Sequence, residues 1–307
     1  MIDEERMSLT KKLENLTKAC LPPSGARLAK RMSVGVRYRS QLAACRQGYE
    51  QFGDRYPQTT LFVAGLPKSG TTWLEKMLGS YDGFHELMIP EVARHEMQTG
   101  GSHDYDLPED LFTRFDDALV LTKMHVHGSL HNTRLLKQSN MRYVVLYRDL
   151  RDVAVSSYFY VRNTPWHPEH GLYKDVDIHA GLREFSKKTL PAYADWVRSW
   201  HENRDSDNSV IVRYEDLLED DAGVLRRIAK LFELDDSDET IERITAANSF
   251  GAMSGGRSKG ESNESAFARK GVAGDWVNHF DDELKELYKE IIGSFLIDFG
   301  YEQSLDW

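Results

Sequence analysis

The 307-residue sequence has few cysteines and no long apolar run. Its two cysteines, Cys20 and Cys45, lie in the N-terminal segment. This excludes a disulfide framework and a zinc ribbon, and it is typical of a reducing compartment. No stretch approaches the ~20 apolar residues of a transmembrane helix, and the acidic start MIDEERMSLTKKLENL lacks the apolar core of a signal peptide. These absences predict a cytoplasmic protein that does not enter a membrane.

The sequence also lacks an excess of basic residues. It has 39 Lys and Arg against 49 Asp and Glu, for a net charge of −10. Proteins that bind nucleic acids or anionic membranes in general neutralise phosphate with basic surfaces, so this balance argues against both partners. It leaves room for a small basic pocket inside an acidic surface. Apolar residues make up 40% of the chain, which is enough for a substantial core.

Four short apolar runs alternate with segments of helical spacing. The runs are 59–65, 118–123, 142–148 and 209–217, and the helical segments are 71–81, 152–161 and 222–234. Strands that are apolar throughout and interleaved with helices are typical of a parallel sheet covered on both faces. The predicted fold is therefore α/β and P-loop-like, with a central parallel sheet flanked by helices. We expect one domain over residues 56–307, after a charged, helix-prone N-terminal segment, 1–55.

The segment LPKSGTTW, directly after the first run, is almost a nucleotide-binding P-loop. Gly65 and Gly70 have the P-loop separation, and Thr72 stands at the position of its hydroxyl. However, Thr71 replaces the P-loop lysine, and the lysine lies inside the loop, at Lys68. A strand, a tight turn and a helix N-terminus gather backbone N–H groups into an anion site, although a plain turn is the alternative. Because no run ends in a Walker B carboxylate, we expect no metal.

Two further basic motifs indicate a second anion site. Arg148 ends the third apolar run, and Ser156 lies in the following helix; together they suit a phosphate at a strand end. A salt-bridged surface arginine is the alternative. Arg269 and Lys270 precede Gly271 in RKGVAGDW, which forms a compact basic turn. A solvated charged loop is the alternative for this second motif.

A lysine and a histidine follow the second apolar run. Lys123 and His125 should lie at the sheet edge that also carries Lys68. A histidine there can act as a general base, because its pKa is near neutral. A packed structural histidine is one alternative. Another is a zinc site made with His127 and His131, but no cysteine or acidic residue has matching spacing.

In this order, LPKSGTTW, YRDLRDVAVSSY and RKGVAGDW resemble the nucleotide-binding motifs of the cytosolic sulfotransferases, over about residues 58–298. That family transfers a sulfuryl group from 3′-phosphoadenosine-5′-phosphosulfate (PAPS) to a hydroxyl or amine. The resemblance implies that Lys68 contacts the bridging oxygen and that His125, in K-x-H with Lys123, is the catalytic base. It also implies a wider set of nucleotide contacts: Ser69, Gly70, Thr71, Thr72 and Trp73 around the 5′-phosphate and adenine, Arg148 and Ser156 at the 3′-phosphate, Tyr214, Ser249 and Phe250 beside the adenine, and Arg269, Lys270 and Gly271 over the 3′-phosphate.

The chain departs from the family pattern at three places. Asn248 and Met124 replace threonines, and the segment between Phe250 and Arg269 is shorter than in the animal enzymes. The animal dimerisation motif is not evident, so the oligomeric state stays open. We expect in-line sulfuryl transfer from PAPS to a small-molecule acceptor, with adenosine 3′,5′-bisphosphate (PAP) as product. The alternatives are a P-loop kinase or nucleotide triphosphatase and a non-catalytic nucleotide-binding protein on the same fold.

The acceptor is the least determined part of the prediction. Candidate pocket segments are 82–105, 125–131 and 160–174. Aromatic walls suit a flat or apolar small molecule, although loop aromatics often pack on the core instead, and acidic residues would favour an amine-bearing acceptor. The aromatic candidates are Phe84, Tyr105, Phe159, Tyr160, Trp166 and Tyr173, and the acidic candidates are Glu91, Glu96 and Asp104.

Overall fold

The computed structural model describes residues 23–99, 103–165, 167–264, 266 and 269–307. Cys20 and Trp166, noted above, lie outside the described residues. Five parallel strands form one sheet in the order β2-β3-β1-β4-β5. The strands are β1 (Thr60–Gly65), β2 (His85–Glu86), β3 (Val120–Met124), β4 (Tyr143–Tyr147) and β5 (Ser209–Arg213). The predicted α/β fold with a central parallel sheet is confirmed.

Helices cover both faces of the sheet. They are α1 (Pro23–Phe52), α2 (Thr71–Leu78), α3 (Pro90–Thr99), α4 (Leu130–Gln138), α5 (Leu150–Arg162), α6 (His170–Tyr173), α7 (Ile178–Asn203), α8 (Tyr214–Glu219), α9 (Asp221–Phe232), α10 (Asp238–Ala247), α11 (Phe250–Ser254) and α12 (Asp282–Asp298). Short 3-10 turns span Gly53–Arg55, Leu111–Phe115 and Asp275–Asn278. In the described part of the chain, no helix is long and apolar enough to cross a membrane.

The alternation of side chains along β1 divides the core into two halves. All six residues of β1 are buried. Leu61 and Val63 pack with α2, α9 and α10 on one face, while Phe62 and Ala64 pack with α5, α7 and α12 on the other. Successive side chains of a strand point to opposite faces, so a strand that is apolar at every position needs a helical layer on each side.

The fourth strand, predicted over 209–217, is shorter in the structure. The strand β5 ends at Arg213, and helix α8 follows at once. The Asp216 carboxylate accepts hydrogen bonds from the Arg213 backbone N–H, at 3.4 Å, and from its guanidinium, at 2.9 Å. This local capping interaction ends the strand. The segment 82–117, between the first predicted helix and the second predicted strand, contains β2 and α3.

Helix α1 packs against the edge of the sheet. The Leu119 N–H donates to the Cys45 carbonyl at 3.0 Å, and the buried Cys45 thiol donates to the His85 carbonyl at 3.4 Å. A Cβ added to Gly48 would lie 2.0 Å from the Gly83 carbonyl oxygen. Glycine at position 48 therefore permits a close backbone approach between α1 and the loop before β2.

We expect Gly48→Ala to destabilise the protein by roughly 1–3 kcal/mol, because the added methyl overpacks the contact. The matched control is Gly35→Ala in the same helix, where an added Cβ has nothing within 4 Å. There, alanine should stabilise by up to about 1 kcal/mol. Urea unfolding of both variants measures the difference. Equal midpoints for the two would contradict the proposed contact.

Candidate active site

The loop between β1 and α2 is tightly turned. Lys68 and Gly70 both have left-handed backbones, with φ of 65° and 83°. A Cβ on Gly70 would lie 2.6 Å from the Tyr214 ring, so only glycine fits there. A left-handed lysine is strained, and such strain is typical of functional sites. The Trp73 and Leu74 N–H groups donate to the Gly70 carbonyl at 2.9 and 3.1 Å, which leaves the N–H groups of Thr71 and Thr72 as the donors at the start of α2.

A cavity of about 550 Å³ lies beside this loop, at the carboxyl ends of β1, β3 and β4. Its volume is in the range of small-molecule and cofactor sites. The structure places most of the predicted site residues in its lining: Lys68, Gly70, Thr71, Thr72, Trp73, Lys123, His125, Arg148, Ser156, Tyr214, Phe250, Arg269, Lys270 and Gly271. Motifs that are distant in sequence therefore converge on one cavity, as parallel strands ending at a common edge require.

Two predicted contact residues lie outside this lining. Ser69 is fully buried, and its hydroxyl has no hydrogen-bond partner among the described residues. Ser249 caps helix α11, where its hydroxyl accepts from the Ala252 N–H at 3.3 Å. Asn248, the departure from the family pattern, donates to the Ser80 hydroxyl at 3.0 Å. Asn248 thus has a structural partner, and it does not line the cavity.

Positive charge is concentrated around Lys68. Burial, together with the charges of Arg148, Arg269 and Lys123, lowers the pKa of Lys68 to about 7. Its ammonium group lies 4.0 Å from the centroid of the Tyr160 ring. Like charges held together disfavour the charged form of each group, and an anionic ligand would reverse that effect. The cavity is therefore suited electrostatically to a polyanion.

Arg148 is held at the edge of the sheet by the helix that follows it, α5. Its guanidinium donates to the Asp152 carboxylate at 2.8 Å and to the Val272 carbonyl at 2.9 Å. The Nε atom of Arg148 is buried without a partner among the described residues. Arg148 is thus fixed in direction while one of its donors remains available to a ligand. Arg148 does form a salt bridge, as in the alternative considered above, but the pair is buried and not on the surface, because Arg148 is only 7% exposed.

The basic turn of the RKG motif is organised by a buried carboxylate. Asp275, which is 2% exposed, pairs with Arg269 and, at 2.5 Å, with Lys270. His279 lies 3.4 Å from the same carboxylate. Burial alone would raise the pKa of Asp275, but hydrogen bonds from these three groups hold it well below its usual range. Asp275 was not among the predicted site residues, although it stands in the segment RKGVAGDW.

His125 is oriented by a backbone carbonyl. Its Nδ1 hydrogen-bonds to the Gly65 carbonyl oxygen. A carbonyl only accepts, so Nδ1 carries the proton and Nε2 is left as the basic atom. Burial and the charge of Lys123 lower the pKa of His125 to about 4. Lys123 in turn pairs with Glu75 at 3.2 Å. His125 is therefore neutral near pH 7 and able to accept a proton.

A second histidine next to His125 was not predicted. The His103 ring centroid lies 5.5 Å from that of His125 and 5.8 Å from that of Tyr193. The Nδ1 atom of His103 is buried without a hydrogen-bond partner among the described residues, and burial holds the pKa of His103 well below its usual value. No local pattern distinguishes His103, because it comes close to His125 only through the fold.

Several predicted acceptor-side residues have structural roles instead. Phe84, Phe159 and Tyr173 are buried in the core, whereas Tyr160 lines the cavity. Core packing was the alternative for such loop aromatics, and it applies to these three. Two of the three acidic candidates are also paired internally. Glu91 pairs with Arg114 at 2.9 Å, and Asp104 lies 3.0 Å from the Nε2 atom of His95.

The zinc alternative has no geometric support. Within the described ranges, no three His, Cys, Asp or Glu residues are grouped to hold a metal ion. The Nε2 atom of His131 instead donates a hydrogen bond to the Leu107 carbonyl at 2.8 Å.

Comparisons with known proteins agree with this geometry. The sequence profile of the sulfotransferase domain matches residues 58–300. This chain belongs to the sulfotransferase family. Rat sulfotransferase 1 family member D1 is 29% identical over 258 residues, covering 75% of this chain and 81% of its own length. Human sulfotransferase 1E1 is 27% identical over 252 residues, covering 74% and 80%. The sulfotransferase is thus of the PAPS-dependent type, and the P-loop kinase alternative is wrong.

Solved structures share the fold. Mouse sulfotransferase SULT7A1, complexed with PAP, has a TM-score of 0.58 at 21% identity, covering 84% of this chain and 95% of that one. Retinol dehydratase, in a complex with retinol and PAP, has a TM-score of 0.55 at 24% identity, covering 78% and 82%. At these identities the similarity establishes the fold alone.

The electrostatics of the site predict an unusual titration. In the ligand-free sulfotransferase, His125 should stay neutral down to about pH 5, because burial and nearby cations oppose its protonation. Lys123→Met should raise the His125 pKa by removing one cation. Imidazole NMR titration measures both effects, with the distant His201 as an internal control. A His125 that titrates near its ordinary value of about 6.5 would contradict the described environment.

Proposed function

We propose that this sulfotransferase moves the sulfuryl group of PAPS to a hydroxyl, or an amine, of a small-molecule acceptor, with His125 as general base. The observation that carries the proposal is one cavity that joins the displaced lysine, Lys68, to a neutral histidine and a set of fixed cations. A purely nucleotide-binding protein needs the cations but has no need of the base. A cytoplasmic location remains a prediction.

The donor side of the cavity fits a nucleotide with two anionic groups. The Nε atom of Arg148, which lines the cavity, is a buried polar atom without a partner among the described residues, and a bound ligand would satisfy it. The rings of Trp73 and Tyr214 stand edge-on, with centroids 6.4 Å apart, on the cavity wall and suit an adenine. We therefore assign the 5′ side to the Lys68 loop and the 3′-phosphate to Arg148, Ser156 and the RKG turn.

The chemistry needs positioning and charge more than covalent help from the protein. When bound, PAPS supplies a sulfuryl group on a phosphate leaving group. His125, through Nε2, takes the proton of the acceptor hydroxyl as the acceptor oxygen attacks the sulfur in line. The bond between the sulfur and the bridging oxygen breaks, and PAP is released. Lys68 neutralises the charge that grows on the bridging oxygen. Lys123, held by Glu75, adds positive charge beside the reacting centre. We propose that these fixed cations serve where a phosphoryl-transfer enzyme uses a metal ion.

The acceptor should enter beside the two histidines. The His103 ring lies 5.5 Å from the His125 ring and 5.8 Å from the Tyr193 ring, measured between centroids. Tyr160, which is 37% exposed and contacts the Lys68 ammonium group, lines the cavity and would be accessible to an acceptor. Retinol dehydratase has been solved with retinol and with androsterone, two small hydroxylated molecules. By analogy we propose a small hydroxylated acceptor here, without nucleic acid or membrane as partner.

His125→Ala should lower kcat by about 10²–10⁴, the usual effect of losing a general base. The affinity for PAP should stay within about twofold, because His125 is not assigned to the phosphates. Labelled PAPS with a panel of phenols, alcohols and amines measures transfer, and calorimetry measures PAP binding. The matched control is His201→Ala, at an exposed histidine outside the cavity lining. Full turnover in the His125 variant would remove it from the mechanism.

His103→Phe tests the acceptor side separately. Phenylalanine keeps a ring but loses both polar atoms, so a lost hydrogen bond of ~1–3 kcal/mol should lower kcat/KM for the acceptor about 5- to 150-fold. The KM for PAPS should not change. Steady-state kinetics at varied acceptor and at varied PAPS give the two values. A change only in the KM for PAPS would contradict the placement of His103 on the acceptor side.

A further inference from the structure

Arg151 contacts the rings of two tryptophans, Trp276 and Trp307. Its guanidinium carbon lies 3.9 Å from the Trp276 ring centroid and 4.5 Å from that of Trp307. The two indoles also meet edge-on, with centroids 5.3 Å apart and an interplanar angle of 85°. Arg151 is 2% exposed, so these contacts are largely desolvated. Cation–π contacts are strongest when they are removed from water.

Two carboxylates complete the surroundings of Arg151. It pairs with Asp149 at 2.7 Å and with Glu302 at 2.5 Å. Asp149 caps the first turn of α5, and Glu302 and Trp307 belong to the C-terminal segment 299–307. One buried arginine thus joins the start of α5, the 3-10 turn at Asp275–Asn278 and the C-terminal segment.

This junction is connected to the proposed 3′-phosphate site by direct hydrogen bonds. The backbone N–H of Trp276 donates to Asp152 Oδ1 at 2.9 Å. Asp152 Oδ2 accepts from the Gly274 N–H and from Arg148, both at 2.8 Å. The same carboxylate therefore holds Arg148 and the end of the 269–276 segment. Displacing Trp276 would disturb both.

The 269–276 segment depends on such support because it has little regular structure of its own. Gly271 and Gly274 have left-handed backbones, with φ of 66° and 76°, and only the final residues form a 3-10 turn. Its basic residues are attached through Asp275, the residue before Trp276. A shift of the indole would carry Asp275 with it, and with Asp275 the cations Arg269 and Lys270.

We propose that Trp307 is a positioning residue for the 3′-phosphate site, acting through Arg151 and Trp276. The proposal rests on the proposed function, because it assumes that a 3′-phosphate binds beside Arg148. Trp307 does not line the cavity and touches no assigned phosphate position. Its effect should therefore appear as a loss of discrimination for the 3′-phosphate and not as a loss of nucleotide binding as a whole.

The test uses two nucleotides that differ only in the 3′-phosphate, PAP and adenosine 5′-phosphate. Calorimetry on the full chain, well below the unfolding temperature, gives both dissociation constants. For Trp307→Ala we expect the PAP constant to rise about 5- to 30-fold, the equivalent of one desolvated cation–π contact. The adenosine 5′-phosphate constant should change less than about twofold. Trp307→Phe, which keeps an aromatic face, should recover most of the loss.

Leu305→Ala is the matched control in the same segment, because Leu305 is 51% exposed and lies against α12 near Gly293. It should leave the ratio of the two constants unchanged. Equal weakening of both nucleotides by Trp307→Ala, or an unchanged ratio, would overturn the positioning role. Wild-type protein that fails to prefer PAP would overturn the proposed function first, and this inference with it.

Discussion

Repulsion among cations gathered at one edge of the sheet is the constraint on which the site depends. Lys68, Lys123, Arg148 and Arg269 all face one cavity, and a cluster of this kind is costly unless each charge is held. Three buried or half-buried carboxylates do this, with Glu75 at Lys123, Asp152 at Arg148 and Asp275 at Arg269. Lys68 lies over the Tyr160 ring, and its pKa is lowered. A bound anion would favour the charged form of Lys68, which is the cation proposed to act on the leaving group.

The parallel sheet explains why these groups meet. The strands β1, β3 and β4 are adjacent and end at the same edge, so the residues that follow them converge although they come from motifs far apart in the chain. The Gly65 carbonyl at the end of β1 then sets the tautomer of His125 after β3. One backbone atom of the donor loop therefore orients the proposed base, which links the two halves of the reaction geometrically.

Most of the fold and of the donor site could be predicted from local patterns. Apolar runs indicated four of the five strands, and short motifs indicated fourteen residues that line the cavity. The remainder depends on contacts between distant segments. The partners Arg151 and Trp307 are separated by most of the C-terminal half, and His103 approaches His125 across a loop. The early end of β5 was missed because its capping carboxylate, Asp216, lay inside a run that looked like a strand.

The most direct test of the account is transfer of labelled sulfate from PAPS by the purified protein. The wild type, with a panel of hydroxylated small molecules or a cell extract, should form a sulfated product identified by mass spectrometry, and PAP should raise its melting temperature. Under the same conditions ATP with Mg²⁺ should give no phosphorylated product. Stabilisation by ATP and not by PAP, with phosphoryl transfer in place of sulfuryl transfer, would contradict the assignment of Lys68 and the cavity around it.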